Sequence, residues 1–265
     1  MMINRALGGR QAMLRTGLKG SAAIFDFDGT LVDSFAHRTA IHKKVSALLL
    51  DQMKQRYDEK SLSRMVGIIS RIDVEMHQNR IYDRNLWWTK ALNRYAGKDS
   101  EVPESAIIKA STLYWDQMKK KTTVYPGIRT MLQVLKRYDV KLGLISDSDG
   151  LKGMKIERIE ASGLARLFDA IVVAGEDTPK VKPDPEAFTL IINRLDIGSR
   201  DCVSVGDNPA TDVDGALRAG MKVIIIKNKL AAQTSSSQRY YLVERKRLTE
   251  FILNTLRKEG GTSHT

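Results

Sequence analysis

A small set of carboxylates, one hydroxyl and one amine stands where apolar runs of this chain stop. The first group is Ile24-Phe-Asp-Phe-Asp-Gly-Thr. Strand alternation puts Asp26 and Asp28 on one face and Phe27 on the other. Two like charges side by side are costly unless a cation or a shared proton makes them useful. Gly29 allows a tight turn and leaves backbone N–H groups free to meet an anion. The spacing therefore predicts a carboxylate nucleophile, its acid/base partner and a metal within one short loop that ends at Thr30.

Three further segments carry the same kind of chemistry. In Gly143-Leu-Ile-Ser-Asp-Ser-Asp, the Ser146 hydroxyl and the donors of the following turn suit a phosphoryl oxygen. Asp147 and Asp149 put extra carboxylates beside it, which is costly next to an anion unless they turn away or find a cation. In Lys180-Val-Lys-Pro-Asp-Pro, Lys182 precedes a helix and could neutralise a nucleophilic carboxylate or a transferring phosphoryl group. A surface lysine beside a helix cap fits that segment equally well. In Val205-Gly-Asp-Asn-Pro-Ala-Thr-Asp-Val-Asp, Asp207 ends a strand and Asp212 begins a helix, where it also suits the dipole. Oxygen ligands with no His or Cys favour Mg2+.

These loops need a scaffold, and the hydrophobic pattern supplies one. Residues 22–27 read as a buried strand, and residues 35–120 as almost wholly helical. From Tyr125 onward, helices near 128–138, 151–162, 185–195, 210–219 and 248–257 alternate with strands near 140–145, 168–173, 202–205 and 223–226. Residues 240–243 read as an edge strand. This order predicts an α/β fold, a Rossmann-like parallel sheet with an inserted all-helical cap. In such a sheet, functional groups gather at the carboxyl ends of the strands, where these residues lie. The expected organisation is a flexible basic extension over 1–20, a core from 21–34 and 121–258, a helical cap over 35–120 and a flexible tail over 259–265.

Composition narrows the function classes. The chain has 265 residues and a formal charge of +12. Its apolar runs are too short to cross a membrane. The single Cys202 excludes an internal disulfide and a thiolate metal cluster, and it reads as a buried strand thiol. The basic surface would draw in a small phosphate ester. No aromatic-interleaved basic motif, zinc finger or helix-turn-helix signal points to a nucleic-acid partner. Residues 1–20 contain four basic residues and no acid. They share that feature with organelle-targeting segments, but a fraying extension is the plainer reading and a cytoplasmic location the expectation.

Taken together, the four segments resemble the haloacid dehalogenase-like hydrolase superfamily. Its Asp-x-Asp-x-Thr motif is matched by Asp26, Asp28 and Thr30, its Ser/Thr by Ser146, its Lys by Lys182 and its paired acids by Asp207 and Asp212. The resemblance spans about residues 21–258. It implies a Mg2+-dependent phosphatase in which Asp26 attacks phosphorus and Asp28 acts as acid, then base. Mg2+ would be held by Asp26, the Asp28 carbonyl, Asp207 and Asp212. Thr30 would orient Asp28, and Ser146, Asp147 and Lys182 would line the substrate. Dehalogenases of this family lack the second carboxylate, so Asp28 argues for phosphate-ester chemistry. A phosphomutase of the β-phosphoglucomutase type and a non-catalytic interaction protein are the alternatives. The expected partner is a small phosphorylated metabolite, and monomer and homodimer are both left open.

Within the helical region, Arg38, His42, Lys43, Arg64, Arg71 and His77 are candidates for substrate contact, against a plainer role on solvated helix faces. Trp87 and Trp88 read as core, and Ser34 as a cap for the first helix.

Overall fold

The computed structural model describes residues 18–53, 57–97, 103–228 and 239–257. The extension expected over 1–20, apart from its last three residues, and the tail expected over 259–265 lie outside them. Strand β1 (Ala22–Phe25) and the short β2 (Val32–Asp33) precede helices α1 (Arg38–Gln52), α2 (Glu59–Gln78), α3 (Arg84–Ala96) and α4 (Glu104–Lys121). Next come β3 (Thr123–Val124), α5 (Ile128–Arg137), β4 (Lys141–Asp147), α6 (Met154–Ala161), β5 (Ala170–Ala174) and α7 (Glu186–Leu195). The chain continues through β6 (Cys202–Gly206), α8 (Pro209–Asp212), α9 (Asp214–Arg218), β7 (Lys222–Ile226), β8 (Tyr241–Val243) and α10 (Leu248–Arg257).

Two compact units result. The first takes in the described residues up to Asp33, Val124–Asp147 and those from Gly163 onward. Its six-stranded sheet has the order β5-β4-β1-β6-β7-β8, and every neighbouring pair is parallel. All four residues of β1 are buried, as expected for a parallel strand covered on both faces. The register aligns Phe25 with Leu144 and Val205, so the residues that follow β1, β4 and β6 emerge along one edge. Ile24, Ile145, Val172, Val223 and Ile225 pack with Phe188 and Ile191 of α7. In α5, Ile128, Met131, Leu132 and Leu135 are buried at helical spacing. Cys202 is buried, and burial pushes its thiol up to about 12, as befits a packing residue.

The helix expected over 210–219 is broken. It forms α8 and α9, divided at Val213. Pro209 opens α8, the Asn208 side chain caps it through Ala210 N–H, and Asp212 Oδ2 accepts from Asn208 N–H at 3.1 Å. This local satisfaction turns Asp212 back toward the strand end instead of along a continuous helix.

The second unit comprises Ser34–Thr123 and Ser148–Ser162. Helices α1–α4 enclose Met65, Ile72, Trp87, Trp88, Tyr114 and Trp115, and Met154 of α6 joins that core. Both Trp87 and Trp88 are fully buried, as their apolar spacing suggests. Residues 148–162 lie outside the range 35–120 read as helical from sequence, and they contain a buried ionic knot of their own. Asp149 accepts from Arg158 Nη1 at 3.0 Å on both oxygens and pairs with Lys155 at 2.9 Å. Arg158 Nη2 also donates to Ser34 Oγ at 3.0 Å. The N-cap position of α1, which starts at Arg38, is His37 and not Ser34, and the His37 side chain makes no cap bond.

Candidate active site

Lys182, Asp207 and Asp212 of the α/β unit converge on Asp26. Lys182 Nζ donates to Asp26 Oδ1 and to Asp212 Oδ1, each at 2.7 Å. The lysine is 3% exposed. Its peptide bond to Pro183 is cis, and its backbone N–H donates to Asp147 Oδ1 at 2.9 Å. Asp147 thus reaches from the end of β4 to the lysine loop, which accounts for a carboxylate at this position. Ser146 lies one residue earlier in β4 and is buried.

Ligand atoms of Asp26, Asp207 and Asp212 all lie within 4.8 Å of one another. Two glycines make this approach feasible. A Cβ on Gly29, whose φ is 84°, would run into the Asp207 carboxylate, and a Cβ on Gly206 would run into that of Asp212. Asn228 Nδ2, which sequence reasoning missed, donates to the Asp207 carbonyl at 2.8 Å and to its Oδ2 at 3.3 Å.

Charge is unbalanced at this point. Burial pushes the Asp26 carboxyl up to about 7, with Lys182 pulling against it and Asp212 and Asp28 adding to it. Burial, then Asp26 and Asp212, push Asp207 up to about 8. Burial also works against the Lys182 charge, but Asp212, Asp26 and Asp147 hold that amine well above the usual lysine range. Asp26 Oδ2 is buried and has no hydrogen-bond partner among the described residues. Three acids around one ammonium, with an unengaged carboxylate oxygen, fit a hard divalent cation such as Mg2+.

Asp28 is half-buried, two residues beyond Asp26, in a turn closed by Gly29 N–H on the Val32 carbonyl at 2.9 Å. Thr30 is buried, and its Oγ1 has no hydrogen-bond partner among the described residues. The resemblance gives Thr30 the task of orienting Asp28; in the fold its backbone carbonyl accepts from Arg245. Asp214 points to Arg239, away from the cluster, at 2.7 Å.

Five of the six basic candidates of the helical unit, all but Arg71, have partners within it. Asp73 is 2% exposed. Arg38 Nη1 lies 3.0 Å from its Oδ2, His42 Nε2 3.6 Å from the same oxygen, and His77 Nδ1 2.7 Å from Oδ1. Lys43 pairs with Glu59 at 3.1 Å, and Arg64 lies over the Tyr95 ring at 5.0 Å.

Comparison with known proteins agrees with this geometry. The family model described as haloacid dehalogenase-like hydrolase matches residues 23–226. The N-acylneuraminate-9-phosphatase of Homo sapiens is 29% identical over 233 residues, covering 84% of this chain and 89% of that protein. The phosphoglycolate phosphatase of Rhodospirillum rubrum is 28% identical over 206 residues, covering 77% and 78%. Among solved structures, a 2-haloacid dehalogenase from Pseudomonas syringae superposes with a TM-score of 0.61 at 20% identity, covering 88% of this chain and 98% of that one. The last likeness concerns the fold alone.

Proposed function

The chain belongs to the haloacid dehalogenase-like hydrolase family, and from that premise we propose that it is a Mg2+-dependent phosphatase of a small phosphorylated metabolite. The observation that carries this reading is Asp26. One of its oxygens is fixed by Lys182 and the other is buried without a hydrogen-bond partner among the described residues, amid further carboxylates. In the proposed reaction, an Asp26 oxygen forms a bond to phosphorus as the ester P–O bond breaks, and Asp28 gives its proton to the departing alkoxide. Asp28, now a carboxylate, then takes a proton from water. That water attacks phosphorus, releasing inorganic phosphate and restoring Asp26. Lys182 holds Asp26 in place and offsets charge as the phosphoryl group arrives. Ser146 and the backbone N–H groups of the loop would hold the phosphoryl oxygens, with Thr30 and Asp147 shaping their surroundings. Asp26, Asp207, Asp212 and the Asp28 carbonyl would hold Mg2+, whose positive charge screens the substrate's phosphoryl oxygens from these carboxylates.

Asp28 directs the choice between reactions of this family, because an alkoxide leaving group needs a proton and a halide does not. Two of the phosphatases similar to this chain make phosphorylated sugar acids and phosphoglycolate the first substrates to test. A panel containing these esters, phosphorylated sugars, triose phosphates and an aryl phosphate, assayed with Mg2+ and with EDTA, tests the proposal. Phosphate release that requires Mg2+ is expected. No release from any ester, or release unaffected by EDTA, would overturn it.

A further inference from the structure

Arg245 opens the run Arg245-Lys246-Arg247, which in the sequence looks like part of a basic tail. In the fold its two neighbours are exposed, while Arg245 itself is half-buried against the catalytic loop. Its guanidinium donates through Nη1 to the Thr30 carbonyl and through Nη2 to the Gly29 carbonyl, the latter at 2.9 Å. It also lies 3.6 Å from the centroid of the Tyr125 ring, and Tyr125 N–H donates to the Leu31 carbonyl at 3.1 Å. Three consecutive carbonyls just after Asp28 are thus held from outside the loop, two of them by one side chain. The planar fork of arginine suits two adjacent acceptors, whereas the compact ammonium of lysine does not. A half-buried cation costs desolvation, which holds the Arg245 guanidinium below its usual range, with Tyr125, Asp207 and Asp33 acting against that cost.

We propose that Arg245 is a positioning residue of the reaction, clamping the Gly29–Leu31 turn so that Asp28 presents its carboxyl to the leaving oxygen. The proposal rests on the reading of Asp28 as acid and base. Its contribution acts through backbone carbonyls, which is why no motif spacing marks it. Without the clamp the turn samples other conformations, and Asp28 meets the substrate in the right orientation for a smaller share of the time.

The test uses the full chain with Arg245→Ala and Arg245→Lys. Amide hydrogen exchange of peptides covering residues 26–34 needs no substrate. It should accelerate at least about tenfold in Arg245→Ala, while peptides of the α5 helix stay unchanged. With an aryl phosphate and Mg2+, kcat should fall roughly ten- to hundredfold with KM within about twofold. Added methylguanidine should recover part of kcat in Arg245→Ala, and Arg245→Lys should not restore it. Unchanged exchange in the loop would overturn the clamp. Faster exchange with unchanged kcat would overturn the positioning role. A wild-type chain that turns over no ester would defeat the phosphatase reading alone, and the clamp would then stand or fall on the exchange result.

Discussion

Stripping divalent cations and raising the pH should destabilise the folded protein. Burial and crowding push Asp26 to about 7 and Asp207 to about 8, against about 4 for a carboxyl in an unfolded chain. Between about pH 6.5 and pH 8, the folded state therefore holds protons that the unfolded chain has released. Each such proton lowers stability by roughly 1.4 kcal/mol per pH unit as the pH rises. Asp207 titrates across the whole interval and Asp26 near its lower end, so the loss is about 2–3 kcal/mol. The direction is that of a raised acid, whose contribution is complete below about pH 4 and gone once the pH passes the folded pKa. Lys182 stays charged in both states over this range and adds no slope. Burial pushes His42 down to about 4, which gives the opposite slope, but mainly at lower pH. At roughly 2–4 °C per kcal/mol, the metal-free Tm should fall by about 5–10 °C. Circular dichroism melts in EDTA across this interval would measure it. Saturating Mg2+ should flatten the dependence by binding the ionised carboxylates, and Asp207→Asn should remove most of it. A metal-free Tm that is flat or rises over the interval would refute the crowding of three acids around one ammonium.

Two further outcomes follow from the packing. Gly206→Ala places a Cβ against the Asp212 carboxylate. Calorimetric titration should show Mg2+ affinity weakened at least about tenfold, with about 1–3 kcal/mol of destabilisation from overpacking, and unchanged affinity would count against Asp212 as part of the site. Asp73→Asn leaves Arg38 and His77 without their shared carboxylate, which these two partners hold down at about 2 against burial. Thermal or urea unfolding should report a loss of roughly 2–3 kcal/mol, and an unaltered transition would mean that the network does not hold the helices.

The candidate loops were legible because polar residues stand out at the ends of apolar strands. Asp26, Lys182, Asp207 and Asp212 meet because parallel strands deliver their carboxyl ends to one edge. The edge strand at 240–243 was also readable, although it continues the parallel order at a sheet margin. Other features depend on contacts that spacing does not encode. Arg245 and Asn228 reach the site from segments that look like ordinary surface. Asp147, which looked like an intruder beside an anion, holds the lysine loop through a backbone bond. Arg38 and His42, like Asp73 and His77, are four residues apart on their helices, so each pair shares a face. That the two faces meet is a property of helix packing, and single residues gave no sign of it. The break at Val213 was equally hidden, because it follows from how Asp212 satisfies its two oxygens.

In the proposed reaction Asp26 carries the phosphoryl group during turnover. Acid quenching of the enzyme with an aryl phosphate and Mg2+, followed by borohydride reduction and peptide mass spectrometry, tests it directly. Reduction of an aspartyl phosphate gives homoserine, so homoserine is expected in place of Asp26 and nowhere else. Homoserine in place of Asp28, or an unmodified Asp26 while phosphate is being released at the quench, would contradict it.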